Sequence, residues 1–266
     1  MDEKVKFRLY RMSVWCGVLV LIAATLAFSV VGNLTPPPSP TAGADEIAKF
    51  LADNRSGILW ATVIMGLFVP FFYAFAVITS LQIRRIEGGW GLLSMVQLTT
   101  AVVAPTGWVY PLAVLATAAY RPGRDPQLVL LLSDQFWLTY VGIAVIFVFN
   151  LASIGVAALV DRRSEPVFPR WFGYLNFILG LLLLPGVFVY VATDGPFAWN
   201  GLFTNIIPSI AFIIWKIAMI YVLLRAVKQE ERETLGTPAV PAADASSRSA
   251  MPCAGAGRRR GHRRPT

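Results

Sequence analysis

Charged residues are scarce in this sequence. Asp, Glu, Lys and Arg make up 14% of its 266 residues, whereas a soluble domain carries about a quarter. The charges fall in short runs between apolar stretches of roughly 20 residues or more, which is typical of a chain that crosses a membrane. Apolar residues account for 56% of the chain, and the mean hydropathy is +0.61. The shortage of charge excludes an ordinary soluble domain and predicts an integral membrane protein.

Histidine and cysteine are almost missing as well. The single histidine is His262, and the two cysteines are Cys16 and Cys253. Without an earlier histidine, the membrane part has no means of haem b ligation, histidine-box di-iron chemistry, Ser–His catalysis or zinc-protease chemistry. The cysteines lack metal-ligand spacing and lie too far apart in the predicted fold for a disulfide. We therefore predict no cofactor, metal site or catalytic residue, and a membrane enzyme is the least favoured class.

Carboxylates are missing from the predicted membrane spans, and no phosphate- or dinucleotide-binding motif occurs in the chain. A proton relay across a membrane usually needs an Asp or Glu inside the bilayer, and nucleotide binding needs a glycine-rich fingerprint. A lysine in the last span is also found in retinal proteins, but the third span here lacks an acidic counterion. These absences remove proton-pumping and nucleotide-driven functions from consideration.

The sequence does contain six apolar stretches of membrane-spanning length. We predict an all-α fold of six transmembrane helices within residues 1–232, followed by a disordered basic tail over 233–266. The stretch 128–160 would run roughly 50 Å as a helix, against a hydrocarbon core of about 30 Å. Its first part, 128–138, is therefore an interfacial segment or a helical extension. The predicted spans are about 14–31, 58–81, 90–119, 139–160, 171–191 and 202–224.

The loop after the first span contains two recognisable segments. Pro36 to Pro40 is rich in proline, which cannot continue a helix. A short helix then opens with Asp45 and Glu46, and residues 47, 50 and 51 form one apolar face. This amphipathic helix either lies on the outer membrane surface, caps the helix bundle, or forms a lid over a site.

Basic residues predict the orientation in the membrane. They gather in the N-terminal segment and in the second and fourth loops, and they are fewer in the alternate loops. With six spans, this bias places both termini in the cytoplasm. The basic residues on the predicted cytoplasmic side are Lys4, Lys6, Arg8, Arg11, Arg84, Arg85, Arg162, Arg163 and Arg170.

The net charge of +8 belongs mostly to the C-terminal tail. From Gly236 onward there are six arginines and one aspartate, which gives +5 and leaves +3 for the rest of the chain. Such a tail either binds anionic lipid headgroups or nucleic acid through its charge, or is a solvated run without a function. Its candidate lipid-contacting residues are Arg258, Arg259, Arg260, Arg263 and Arg264.

Lys216 is the costliest residue in the predicted spans. It lies roughly 13 Å from the end of its span at Arg225, and a lysine near the centre of a membrane helix costs about 3 kcal/mol. No predicted span supplies a carboxylate at that depth. The side chain either extends towards the cytoplasmic headgroups or binds an anionic group of a ligand or lipid.

Polar residues on other spans fall at a similar depth. At about 1.5 Å per residue, they lie roughly 8–15 Å from the cytoplasmic side. If they face inward, they form one polar layer with Lys216 that either lines a binding site or provides hydrogen bonds between helices, worth about 0.6 kcal/mol each. The residues of this predicted layer are Gln97, Thr99, Thr100, Asn150 and Asn176.

Prolines interrupt several of the predicted spans. A proline removes one backbone hydrogen bond and kinks a helix, and membrane proteins tolerate the break where a neighbour or cavity satisfies the freed carbonyl. Pro105-Thr106-Gly107 in the third span is the best candidate for a break that exposes the backbone to a cavity.

The chain resembles an uncharacterised family of bacterial six-span inner-membrane proteins over roughly residues 5–225. The matching pieces are Pro36–Thr41 with the short helix after it, the segment 121–137, PVFPRWFGYLN at 166–176 and GPFAWNGL at 195–202. The resemblance implies a multi-pass fold and a location in the plasma membrane. It implies no activity and transfers no functional residue.

Two functions are compatible with these residues. The first is a small permease or binding protein for a lipophilic or anionic small molecule, with Lys216 and the polar layer as its site. The second is a non-catalytic membrane subunit or assembly partner that uses the same surfaces for packing. A Lys216 side chain that faces the bundle interior favours the first, and one that faces lipid favours the second. The oligomeric state stays open.

Overall fold

The computed structural model describes residues 2–236. In this part of the chain every regular element is a helix, which confirms the predicted all-α class. The α-helices are, in chain order, α1 (Glu3–Thr25), α2 (Ala44–Asp53), α3 (Arg55–Phe68), α4 (Phe71–Glu87), α5 (Leu92–Val103), α6 (Thr106–Tyr120), α7 (Pro126–Gly142), α8 (Phe147–Val160), α9 (Arg170–Leu183) and α10 (Ile207–Gly236).

Several of these helices join into runs that are long and apolar enough to cross a membrane. Within the described residues there are five such runs, and α3 with α4 makes a sixth if this pair, bent by about 40°, is one span. The bend follows from Pro70, which lacks the amide hydrogen that a continuous helix needs. The five runs are Glu3–Val31, Leu92–Tyr120, Pro126–Val160, Arg170–Tyr190 and Gly195–Gly236.

The boundaries of three helices differ from the prediction. α1 begins at Glu3, because the Asp2 side chain caps it by accepting from the amide of Lys4. α7 begins at Pro126 behind the cap of Asp125, so the segment 128–138 is a helical extension. α10 continues to Gly236, past the predicted end of the span at 224 and the predicted start of the disordered tail at 233. The tail arginines lie outside the described residues.

Ion pairs gather at one end of the bundle, which we call the charged end. Lys6 Nζ lies 3.5 Å from Glu230 Oε1, and Arg11 Nη1 lies 2.7 Å from Glu231 Oε2. Arg85 Nη2 lies 2.8 Å from Glu233 Oε2. These pairs hold the start of α1, the end of α4 and the last turns of α10 together, and they explain why α10 stays helical beyond the apolar stretch.

The loop between α4 and α5 also lies at the charged end. Gly88 ends α4 with a φ of 75°, a left-handed conformation that suits glycine. The Glu87 carboxylate then accepts hydrogen bonds from the amides of Leu93 and Ser94 and from the Ser94 hydroxyl. Glu87 therefore caps the start of α5 and fixes the turn between the two helices.

The opposite end of the bundle is covered by the proline-rich loop and α2. Ile47 and Leu51, on the apolar face of α2, are buried in the same cluster as Phe136 and Trp137 of α7. Trp199 is buried beneath the loop and donates through Nε1 to the Pro38 carbonyl at 2.9 Å. The amphipathic helix thus packs on the bundle and presents its apolar face to α7.

The long runs lose α-helical geometry in their middle or in the half away from the charged end. Prolines account for four of these changes, since Pro70, Pro105, Pro185 and Pro208 lie in them or beside them. The altered segments are the π-helical turn Leu26–Val31, the breaks at 69–70 and 104–105, the 3-10 segments Ile143–Ile146 and Leu184–Tyr190, and the π-helical turn Leu202–Ile206.

Candidate functional site

A cavity of about 440 Å³ lies among these altered segments. Its wall comes from the end of the first span, the break between α5 and α6, the segment Ile143–Ile146 and the start of the last span. The volume falls within the roughly 300–1,000 Å³ of pockets that bind small organic molecules. Its aromatic lining residues are Phe28, Trp108, Trp137, Tyr140, Phe147 and Phe212.

The aromatic rings of the cavity wall pack against one another. Trp108 makes an edge contact with Phe212, with ring centres 5.9 Å apart, and lies 6.5 Å from Phe147. On the other side, Phe28 stacks on Tyr140 at 4.9 Å. Interlocked rings of this kind resist collapse because each ring is held at its edge or its face by the next. The cavity is therefore largely apolar, and the rings of its wall support one another.

Polar groups in the cavity wall are few, and most of the hydroxyls are bonded locally. The Thr25 hydroxyl donates to the Leu21 carbonyl at 3.0 Å, and the Thr204 hydroxyl donates to the Ala198 carbonyl. Ser29 and Thr35 are joined through their hydroxyls at 3.4 Å. Burial of an apolar ligand, with orientation by a small number of polar groups, is the binding mode that such a wall supports.

Lys216 faces the bundle interior, one helical turn beyond Phe212 on α10. It is 1% exposed, so the side chain does not extend to the headgroups. Four rings surround Nζ, which we call the aromatic cage: Phe75 at 4.4 Å, Phe72 at 4.7 Å, Trp215 at 5.2 Å and Phe212 at 5.5 Å. Ring faces attract a cation, but within residues 2–236 no hydrogen-bond acceptor is in reach of Nζ.

The structure brings three residues of the predicted polar layer together between α5 and α8. Asn150 Nδ2 donates to the Gln97 carbonyl at 3.1 Å and to Thr100 Oγ1 at 3.2 Å. Thr100 in turn donates to the Val96 carbonyl at 2.6 Å. Gln97 Oε1 is buried without a hydrogen-bond partner in the described residues. This cluster joins two helices, as polar residues commonly do in membrane proteins.

The other two residues of the predicted layer lie elsewhere. Asn176 accepts a hydrogen bond from Trp215 Nε1 at 3.0 Å and donates to the Phe172 carbonyl at 2.7 Å, so it fixes one ring of the aromatic cage. Thr99 is exposed on the outside of the bundle and donates to the Met95 carbonyl of its own helix. The predicted single layer is therefore divided into two clusters, and Thr99 belongs to neither.

The predicted helix break at Pro105 coincides with the gap between α5 and α6. The Thr106 hydroxyl donates to the Val103 carbonyl at 2.6 Å and satisfies an acceptor at the break. Gly107 lies in the cavity wall, where a Cβ would stand 3.0 Å from Ile143 Cγ2. The break therefore brings the backbone at Gly107 close to the segment Ile143–Ile146 and to the cavity.

Sequence reasoning missed the aromatic side chains of the cage and of the cavity. Phe72, Trp108, Phe212 and Trp215 are apolar or amphipathic residues within apolar spans, so composition and spacing do not distinguish them from residues that face lipid. One local signal was available. Phe212 lies four residues before Lys216 and so shares a helix face with it, and Trp215 is its immediate neighbour in the sequence.

A second concave surface lies at the charged end, with a volume of about 720 Å³. Its lining includes Lys6, Arg85, Glu230 and Glu233, and these side chains form ion pairs with one another. Its positive and negative side chains largely neutralise one another, so this surface favours a ligand of neither charge. The apolar cavity is therefore the stronger candidate for a binding site.

These features define a class: over residues 2–236 the protein is all-helical, with five helical runs, or six if the bent pair is one, that are long and apolar enough to cross a membrane. Comparison with protein-family models, with curated proteins and with solved structures finds no match. The function is therefore argued from the geometry of this chain alone.

Proposed function

We propose that this chain is a six-span protein of the bacterial plasma membrane with both termini in the cytoplasm. Basic residues gather at the charged end, where the positive-inside rule would place the cytoplasm. The two ends of the described chain meet there through the ion pairs of Lys6 and Arg11 with α10. The bent pair α3 and α4 supplies the sixth span.

Within that membrane, the protein binds a lipophilic small molecule, as a permease or a binding protein. The cavity of about 440 Å³ carries this proposal, because it is apolar, is lined by interlocked rings and lies where the helical runs are interrupted. The inward orientation of Lys216 supports it further, since a membrane subunit that only packs against partners has no use for a buried cation.

The position of the cavity bears on the choice between binding and transport. Leu34 and Thr35 of the outer loop lie in its wall, and the bond from Trp199 to Pro38 holds that loop down. Towards the charged end, the aromatic cage and the cluster around Asn150 close the bundle. A permease would have to open this second barrier, whereas a binding protein would need only the outer side to open.

A cavity-filling substitution tests the proposal. Ala144 lies in the cavity wall, so Ala144→Phe places a ring in the space that the ligand would use. Binding of a diazirine-bearing dodecanol to the full chain in lipid nanodiscs should fall about tenfold or more. Ala113→Phe is the matched control, because Ala113 is exposed on α6 and lies outside the cavity wall.

Two results would count against ligand binding in the cavity. One is labelling of the wild-type chain that spreads evenly over lipid-facing residues. The other is equal labelling of the A144F and A113F variants, with both folded as judged by thermal unfolding. Either result would favour the alternative of a non-catalytic membrane subunit or assembly partner.

A further inference from the structure

The aromatic cage of Lys216 borders the cavity, and one ring belongs to both. Phe212 lies in the cavity wall, and its ring centre is 5.5 Å from Lys216 Nζ. Trp108, also in the wall, contacts Phe72 of the cage at 5.6 Å. A single layer of rings therefore separates the ammonium from the space where a ligand would lie.

Three of the four cage rings are fixed in the protein core. Phe72, Phe75 and Trp215 are each no more than 3% exposed, and Trp215 is held by its hydrogen bond to Asn176. Phe212 is only partly buried and has the cavity beside it. Among the cage rings, Phe212 is thus the one that borders open space, and to turn into that space it leaves its edge contacts with Trp108 and Phe147.

The buried ammonium of Lys216 has no hydrogen-bond acceptor within residues 2–236. Burial of a cation in an apolar surrounding is costly unless an opposite charge or hydrogen-bond acceptors compensate for the lost water. The rings compensate in part, but no carboxylate in residues 2–236 forms an ion pair with Lys216. An anionic group brought in by a ligand would supply both the charge and the acceptors.

We propose that the ligand of the cavity is a single-chain lipophilic carboxylic acid, with its carboxylate on Lys216. The proposal rests on the lipophilic binding function argued above and specifies the substrate class for the same site. The apolar chain fills the cavity, and Phe212 turns aside so that the carboxylate pairs with Nζ. An alcohol of the same length fills the cavity equally well but gains at most a hydrogen bond from Lys216, without the attraction between opposite charges.

The test compares an acid and an alcohol of equal chain length on the full chain in nanodiscs of zwitterionic lipid. Diazirine-bearing dodecanoic acid and dodecanol are the probes, and labelled residues are located by peptide mass spectrometry. On the wild-type chain we expect both probes to label the cavity wall, with the acid binding about tenfold more tightly or better. In Lys216→Met this preference should disappear, because binding of the acid falls far more than binding of the alcohol.

Two further variants make the result specific. Lys228→Met removes the same charge from an exposed position on α10 and should keep the preference for the acid. Phe212→Ala removes the ring that the cage and the cavity share, and it should keep or increase that preference. Lys216→Gln serves as a second neutral variant if Lys216→Met does not fold.

The outcomes separate this inference from the function on which it rests. Absence of cavity labelling by either probe contradicts ligand binding altogether. Cavity labelling with equal affinity for acid and alcohol, or an acid preference that survives in Lys216→Met, contradicts the role of Lys216 alone. Displacement of the acid by added phosphatidylglycerol at low concentration would assign the site to a phospholipid headgroup and overturn the single-chain acid.

Discussion

At the scale of single residues, Lys216 is the most informative side chain. It is surrounded by four rings and is 1% exposed, so two opposing effects act on it. A lysine in a membrane span costs about 3 kcal/mol, and Nζ has no hydrogen-bond acceptor within residues 2–236; cation–π attraction to the four rings offsets part of this cost. The remaining difference is a net cost to stability. A protein keeps such a residue most readily where its charge has a function.

This balance predicts the stability of a neutral variant. Lys216→Met keeps the length of the side chain, removes the charge and places a thioether among rings that favour sulfur. We expect the variant to gain about 1 kcal/mol in the free energy of unfolding, measured by thermal unfolding of the detergent-solubilised protein. Lys228→Met is the control and should change little, since that side chain is exposed. A clear loss of stability in K216M would mean that the cage stabilises the ammonium outright.

A second residue-scale prediction concerns the glycine behind the cage. At Gly17 on α1, a Cβ would overlap Phe75 Cδ2, so any larger residue must displace this cage ring. We expect Gly17→Ala to destabilise the protein by about 1–3 kcal/mol. Gly66→Ala on α3 makes the same change where nothing lies within 4 Å, and it should stabilise by up to about 1 kcal/mol through helix propensity. Similar unfolding temperatures for the two variants would contradict the close packing of α1 on Phe75.

At the scale of elements, the caps and breaks decide where each helix begins and ends. Asp125 and Pro126 start α7 well before the apolar stretch that the bilayer requires. Pro105 ends α5, and Thr106 satisfies the carbonyl of Val103 at that break. Of these features, only the break at Pro105 was predicted from the sequence. Their joint consequence, a cavity where the breaks meet, depends on how the helices pack.

The cap of α5 gives a prediction with a pH dependence. Burial raises the pKa of Glu87, but the hydrogen bonds from Ser94, Leu93 and Gly91 outweigh it, so the pKa of this carboxyl at the charged end is lowered. Because the folded-state pKa lies below the unfolded value of about 4.5, the stabilisation is complete above that value. It is lost as the pH falls through the lowered folded-state pKa.

The matching variant is Glu87→Gln, measured by thermal unfolding over a range of pH. The partial exposure of the Glu87 carboxyl limits its effect, so we expect a loss of about 0.5–1 kcal/mol above pH 5 that fades as the pH is lowered. Glu46→Gln, in the exposed first turn of α2, should cost a few tenths of a kcal/mol at most. An E87Q deficit that stays constant down to the lowest pH would show that the charge of Glu87 is not what caps α5.

At the scale of the whole molecule, charge is distributed unevenly between the two ends. Ion pairs link α1, α4 and α10 at the charged end, whereas the opposite end is covered by α2 and the proline-rich loop. In a bacterial plasma membrane, this asymmetry would place the charged end in the cytoplasm.

Two cysteine variants test this orientation in a Cys16→Ser, Cys253→Ser background. Gly43→Cys lies before α2 and Gly89→Cys lies after α4, and a Cβ at either position meets nothing within 4 Å. We expect a membrane-impermeant maleimide to label G43C on intact cells. G89C should be labelled only after the membrane is permeabilised. Labelling of both variants from the same side would contradict an odd number of crossings between them.

The sequence by itself determined the helical class, the approximate positions of the long apolar runs and the concentration of basic residues at one end. These properties depend on the composition of successive segments, which a single chain reveals directly. It also marked Lys216 and the break at Pro105 as unusual, because a cation and a missing amide hydrogen are costly at those positions wherever the helices lie.

Only the tertiary structure decided which side chains meet. It divided the predicted polar layer into the cluster of Asn150, Gln97 and Thr100 and the pair of Asn176 and Trp215, and it turned Thr99 outward. In a membrane protein both the lipid-facing and the inward faces of a helix are apolar, so periodicity does not reveal its rotation. Packing set that rotation, and with it placed the aromatic cage of Lys216 beside the cavity.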